Sequence, residues 1–217
     1  MQSIRSFHVV LLFVGMVGCM TAPTQEMSDA RLAVKAARDA RASYYVPDTL
    51  IKAEENLAKA EDSLRTGQLI QARRAAILAK GQAVNAHKMA SAIEYAKTIW
   101  QNVVAIQFNG QDINKLIKKA EVAAQKDDVD NALQFADEAQ RQGELALNQA
   151  YLEQTARLLC HLDKRKEQLN QTELATLNVA HVAYQHQKGE RAYQLAKQLA
   201  DKFPADQNAC SIKSHKQ

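Results

Sequence analysis

Three cysteines and six histidines are the residues of this 217-residue chain best suited to metal binding or nucleophilic chemistry. Cys160 and His161 are neighbours, and Cys210 follows about fifty residues later. Zinc-type sites draw thiolates and imidazoles from tightly spaced pairs, and Cys160, His161 and Cys210 supply one such pair only. In an oxidising compartment, Cys160 and Cys210 read first as a disulfide. It would close a loop worth roughly 4 kcal/mol on the chain-entropy account. Two free thiols are the third reading. His181 and His186 stand about 500° apart around a helix, so they share no face, and His87 is isolated. The acidic pairs Glu54-Glu55 and Asp127-Asp128 read as a solvated helix face and a capped turn. Acid–base work would require a cleft and a raised pKa. No Gly-rich phosphate loop, Gly-x-Ser-x-Gly elbow, Cys-x-x-Cys-His haem site or His-Glu-x-x-His helix occurs. These residues predict a protein that is not an enzyme and holds no metal.

The elements that position them are helical. Gly 7, Pro 3 and 6% aromatics are low, and Ala makes up about one residue in six. Such a composition predicts an all-α chain. A net charge of +4, with basic and acidic residues interspersed, does not point to nucleic acid.

The N-terminus sets the compartment. Arg5 and the amino terminus give a short positive region, followed by the apolar run Val9 to Val17. That run is too short to cross a hydrocarbon core of about 30 Å, and it has the build of a secretory signal over residues 1–18. Met16-Val17-Gly18-Cys19 resembles the bacterial lipobox, with Met16 where that family prefers Leu. The resemblance implies that Cys19 is lipidated, with a palmitate-type covalent lipid as the sole added group. An ordinary signal peptide with an incidental cysteine is the other reading. Acyl chains at roughly 0.8 kcal/mol per buried CH₂ would make the anchor stable. Met20 follows where an Asp would retain such lipoproteins in the inner membrane, so the resemblance implies the outer membrane, facing the periplasm. Polar residues then read as a flexible tether over 19–27.

From Ser28 the pattern predicts helix almost without pause. Segments are expected over 29–45, 48–65, 68–108 and 112–125. A fifth runs for up to forty residues, with Gly143 and Tyr151 as the places where it could bend. Two more are expected between Asn170 and Phe203. Leu50, Ala53, Leu57, Ala60 and Leu64 form one apolar stripe at alternating spacings of three and four. A shift of 60 residues aligns Ala72, Ala132 and Ala192, then Ala76, Ala136 and Ala196, with turns near Gly67, Asp127 and Gln187. The expectation is an elongated set of antiparallel helical hairpins or bundles, with three repeats at 60-residue spacing. Its divisions would be a helical domain over 28–108, hairpins over 111–168 and 171–204, and a tail over 205–217. Small-residue seams, Ala72 to Ala86 and Ala132 to Ala146 through Gly143, let helix axes approach closely. The same seams could instead receive a partner helix.

Two stretches resemble known families. Ala33, Ala36, Ala37 and Ala40, then Val46-Pro47, Leu50, Ala53, Leu57 and Ala60, with Ala72, Ala76 and Ala79 after the turn, resemble the lipoprotein-associated helical domain DUF4398. That likeness covers about residues 30–92 and implies a helical lipoprotein domain. Lys115 to Glu121, followed by Asn131-Ala132 and Arg141-Gln142-Gly143-Glu144-Leu145-Ala146, is similar to the SoxXA-binding proteins of sulfur oxidisers. That likeness, over about 115–146, implies attachment to a periplasmic c-type cytochrome.

Trp100, Tyr95, Ile99 and Val103, with Phe108 beyond, suit one helical face: core packing, or a ridge for a partner. Candidate partner-binding residues are therefore Trp100, Tyr95, Arg141, Gln142 and Gly143. The basic groups Arg73-Arg74, Lys118-Lys119 and Lys164-Arg165-Lys166 read as solvated, or as touching anionic lipid or wall polymer. The sequence thus predicts a non-enzymatic envelope scaffold that contacts the membrane through its lipid and an envelope or periplasmic protein, or a second copy, through its helices. An accessory subunit of a periplasmic redox enzyme and a helical-repeat binder of peptide or envelope polymer are the alternatives.

Overall fold

A computed structural model describes residues 22–106 and 110–203. Cys19, Phe108, Cys210, the signal region 1–18 and the tail from 205 lie outside the described residues. The chain is all-α, with eight α-helices and no strand among the described residues. They are α1 (Thr24–Asp39), α2 (Ala42–Tyr45), α3 (Pro47–Arg65), α4 (Leu69–Ala105), α5 (Gln111–Gln125), α6 (Val129–Lys164), α7 (Gln171–Gln185) and α8 (Gly189–Ala200).

The chain divides into two compact units, residues 1–87 and 88–217. The division falls inside α4, upstream of the 108–111 boundary read from the sequence. The second half of α4 packs Ala96, Ile99 and Val103 with Ile113 and Ile117 of α5 and Ala139 and Ala146 of α6. Helix α1 begins at Thr24 behind Pro23, within the stretch 19–27 read from the sequence as a tether. Met27 is buried with Ala30 against Ala60, Ala76 and Ala79, so apolar contact carries the helix back into that stretch.

The first unit packs α1 with α3 and with α4 up to His87. Met27, Ala30, Val34 and Ala37 of α1, spaced by three and four, face inward. Charges fix which helix meets which, and in what direction. Arg31 pairs with Glu61 (2.9 Å) and Arg38 with Glu54 (2.7 Å), so α1 runs antiparallel to α3. Glu26 pairs with Arg73 (2.7 Å) and Asp29 with Lys80 (2.8 Å), so α1 runs parallel to α4. His87 Nδ1 donates to the Ala36 carbonyl in the same sense. Exposed pairs of this kind add at most about 1 kcal/mol each; their role is to specify register. Arg73, expected to be solvated, is part of this set.

The second unit holds two helix triplets that share α6. Its first half meets α4 and α5, as above, and Lys97 of α4 pairs with Glu121 of α5 where both are half-buried. Its second half brings Leu159 and Leu162 to Leu177 and Ala180 of α7 and Ala196 and Leu199 of α8. Asp128 caps α6 by accepting from the Asn131 backbone N–H (3.2 Å). Asn170 and Glu173 form a reciprocal capping box at α7.

The hairpin turns after α3, α5 and α7 have one geometry. Each contains a residue in the left-handed region: Gly67 (φ 77°), Asp127 (φ 60°) and Gln187 (φ 58°). The next N–H in each case donates back to the carbonyl five residues earlier: Gln68 to Ser63 (2.8 Å), Asp128 to Ala123 (3.0 Å) and Lys188 to Ala183 (2.9 Å). These bonds satisfy carbonyls that a helix end would otherwise leave open. Flanking positions recur in burial as well: Ala60, Ala120 and Ala180, then Ala72, Ala132 and Ala192, are all buried. Left-handed backbone costs an L-residue roughly 1–2 kcal/mol, which glycine avoids at some entropic cost. Gln187→Gly should therefore raise stability by about 0.5–1 kcal/mol and Gly67→Ala lower it by about 1 kcal/mol, read from denaturant midpoints. A loss of stability in Gln187→Gly would contradict this account of the turn.

Candidate functional site

The partner-binding residues suggested by the sequence are carried by α4 and α6 in the second unit. Ile99 and Val103 are buried, and Trp100 is half-buried against the same cluster, beside Gly110. Tyr95 is 50% exposed. Five positions separate it from Trp100, so the two aromatics lie on different sides of α4 and do not form one ridge.

Gly143 is buried on the seam of α6, and a Cβ there would overlap Ile99 Cγ2. Glycine is required because α6 and α4 approach closely at this point. Arg141 and Gln142, next to it in sequence, converge on a residue that the sequence reading missed. Arg141 donates from Nε (3.0 Å) and Nη2 (2.7 Å) to the Glu138 carboxylate, and Gln142 Nε2 donates to Glu138 Oε1 (2.6 Å). The signal was present, since acids three and four positions before Arg or Gln share a helix face. The Arg141 hydrogen bonds, and then that of Gln142, hold the Glu138 carboxyl below its ordinary pKa.

Two open grooves adjoin in this region and share Phe135. One, of about 510 Å³, is lined by Lys118, Lys119, Val122, Lys126, Asp128 and Asn131. The other, of about 680 Å³, is lined by Leu116, Asp130, Leu133, Asp137, Glu138 and Arg141. Lys119 Nζ stands 5.6 Å from the centre of the Phe135 ring, a cation–π contact. Neither groove was apparent from sequence, because each joins two helices.

The thiol and imidazole candidates separate in space by role. Cys160 takes part in a disulfide. His161 is buried, and its Nε2 donates to the Phe203 carbonyl (3.1 Å), tying the turn after α8 to α6. His181 meets Asp163 at 3.0 Å. Among the described residues, no group of three or more His, Cys, Asp or Glu side chains is placed to hold a metal ion, and no helix is long and apolar enough to cross a membrane. No protein-family model, curated protein or solved structure matches the chain.

Two predictions follow from this geometry. Gly143→Ala should destabilise the protein by about 1–3 kcal/mol, as over-packing does in close-packed cores; an unchanged denaturant midpoint would refute the close approach. The second concerns acid. Glu138, Glu173, Asp128 and Asp29 are each lowered, the first by Arg141, the second by the Asn170 backbone, the third by Asn131 and the fourth by Lys80. A depressed folded-state pKa contributes stability that is present above the unfolded value, near 4 for carboxyls, and is lost as pH falls through the folded value. The melting temperature should therefore hold from about pH 7 to 5 and fall below about pH 4. Glu138→Gln should flatten that acid limb, measured by thermal melts across pH.

Proposed function

We propose that the chain is a non-enzymatic envelope lipoprotein, anchored in the outer membrane through Cys19 and facing the periplasm, that acts as a helical interaction scaffold. The observation that carries this reading is an inversion of side-chain size along α4. Its first half buries Ala72, Ala76, Ala79, Ala83 and Ala86 and leaves Ile77 and Leu78 exposed at 55% and 58%. Large apolar side chains kept outside a core of alanines are surface available to a partner. The resemblance of residues 30–92 to a lipoprotein-associated helical domain and the lipobox-like Met16-Val17-Gly18-Cys19 support the anchor.

A second reading, helical-repeat binding of a peptide or envelope polymer, draws on the recurrence of turn geometry at Gly67, Asp127 and Gln187. In that reading the hairpins are three copies of one motif, and each offers its own outer face to the ligand. The accessory-subunit reading draws on the similarity of residues 115–146 to SoxXA-binding proteins, with Arg141 and Gln142 as the first residues to substitute.

The anchor is tested by Cys19→Ala in cells. Loss of metabolic fatty-acid labelling and release of the chain from the membrane fraction are expected. Labelling and fractionation that match the wild type would exclude Cys19 as the anchor.

A further inference from the structure

The same hairpin turn is built three times, so residues that the turn needs can be separated from residues that it does not. Around the middle turn, Lys118, Lys119 and Lys126 line one groove, and Asp130 and Asp137 line its neighbour. Sixty residues earlier, the five corresponding positions are Ala58, Lys59, Thr66, Ile70 and Ile77; sixty later, they are Asn178, Val179, His186, Glu190 and Lys197. Those turns form with the same left-handed residue and the same closing hydrogen bonds. Folding of the hairpin therefore does not account for the charge pattern at the middle one. Phe135, shared by both grooves, replaces Ala75 and Leu195.

The charges of the two grooves mirror each other. The basic groove has three lysines and one aspartate, Asp128, whose carboxylate is engaged in capping α6. The acidic groove has three carboxylates and one arginine, Arg141, already paired with Glu138. A basic half and an acidic half meeting at a shared aromatic form a self-complementary patch. A two-fold axis through such a patch sets the basic half of one copy against the acidic half of the other, twice over, which is the requirement of an isologous interface.

We propose that this face of α5 and α6 pairs with the same face of a second copy of the chain, Lys118, Lys119 and Lys126 of each copy meeting Asp130 and Asp137 of the other around Phe135. The proposal rests on the scaffold reading and names its partner. The exposed Val122 on the basic groove adds apolar contact at the edge.

The test uses the full-length chain in a non-ionic detergent, with mass read by light scattering and sedimentation. A dimer is expected at low salt, weakening as ionic strength rises, because exposed charges are screened beyond a Debye length of about 10 Å at 0.1 M. The double variant Lys118→Glu with Lys119→Glu has two acidic halves, and Asp130→Lys with Asp137→Lys has two basic halves. Each alone should dimerise about a hundredfold more weakly or worse, as like charges face each other. An equimolar mixture of the two should recover a heterodimer of near wild-type affinity, a result that misfolding of either variant could not produce. A wild-type chain that stays monomeric at about 100 μM in low salt, or a mixture that recovers nothing, overturns the proposal. So does lysine-dependent sedimentation of the Cys19→Ala chain with anionic vesicles without self-association, which would assign the lysines to lipid. Membrane release of Cys19→Ala reports on the anchor independently, so either result can fail while the other stands.

Discussion

The structure depends on the small size of the side chains at its helix contacts. Alanine occupies two of the four buried positions on α1 and most of those on the first half of α4 and the first half of α6. A buried alanine removes far less apolar area from water than a leucine does, at roughly 25 cal/mol per Å². What it provides instead is proximity, because helices faced with alanine or glycine can approach towards the short end of the usual 8–10 Å separation. Stabilisation of this kind needs many contacts in series, which accounts for the length of α4 and α6. Close approach also explains Gly143, where even one methyl group has no room beside Ile99.

Alanine seams are poor at telling one helix from another, since every seam has nearly the same shape. Polar groups at the margins supply that distinction. Around α1, acids at Glu26 and Asp29 meet the cations of α4, while Arg31 and Arg38 meet the acids of α3. Exchanging α3 and α4 around α1 would break all four of these pairs. The pairs thus work chiefly against wrong arrangements, a role that exposed ion pairs can fill even when each adds little to stability.

Much of the fold was legible because it is written in local terms. Periodicity marked the helices, and the turns near Gly67, Asp127 and Gln187 fall where the left-handed residues occur. Parallel packing of α1 on α4 was not legible, because it rests on ion pairs about fifty residues apart. The start of α1 was misread for a related reason: Thr24 to Ser28 is polar apart from Met27, and Met27 reveals itself only by its contacts. The site was less legible than the fold. Arg141, Gln142 and Gly143 were singled out as a run, but the run divides by direction: two side chains turn to Glu138, and the glycine turns inward to Ile99. Trp100 and Tyr95 divide in the same way, one towards the core and one towards solvent.

Recurrence of one turn separates what folding demands from what it leaves free. Three turns built to one pattern hold constant the demands of folding, namely the left-handed residue, the closing hydrogen bonds and the alanines at the flanking core positions. Whatever differs among them answers to something else. At the first turn, the outward positions of α4 are apolar, with Ile70 and Ile77; at the third, Glu190 and Lys197 on α8 carry opposite charges. At the middle turn, the two grooves carry opposite charge, Lys118, Lys119 and Lys126 lining one and Asp130 and Asp137 the other. Segregation is the informative part, because a surface selected only for solubility intersperses its charges. Lysines gathered along one groove repel one another and gain from any anionic surface that covers them, and the acidic groove of a second copy is such a surface.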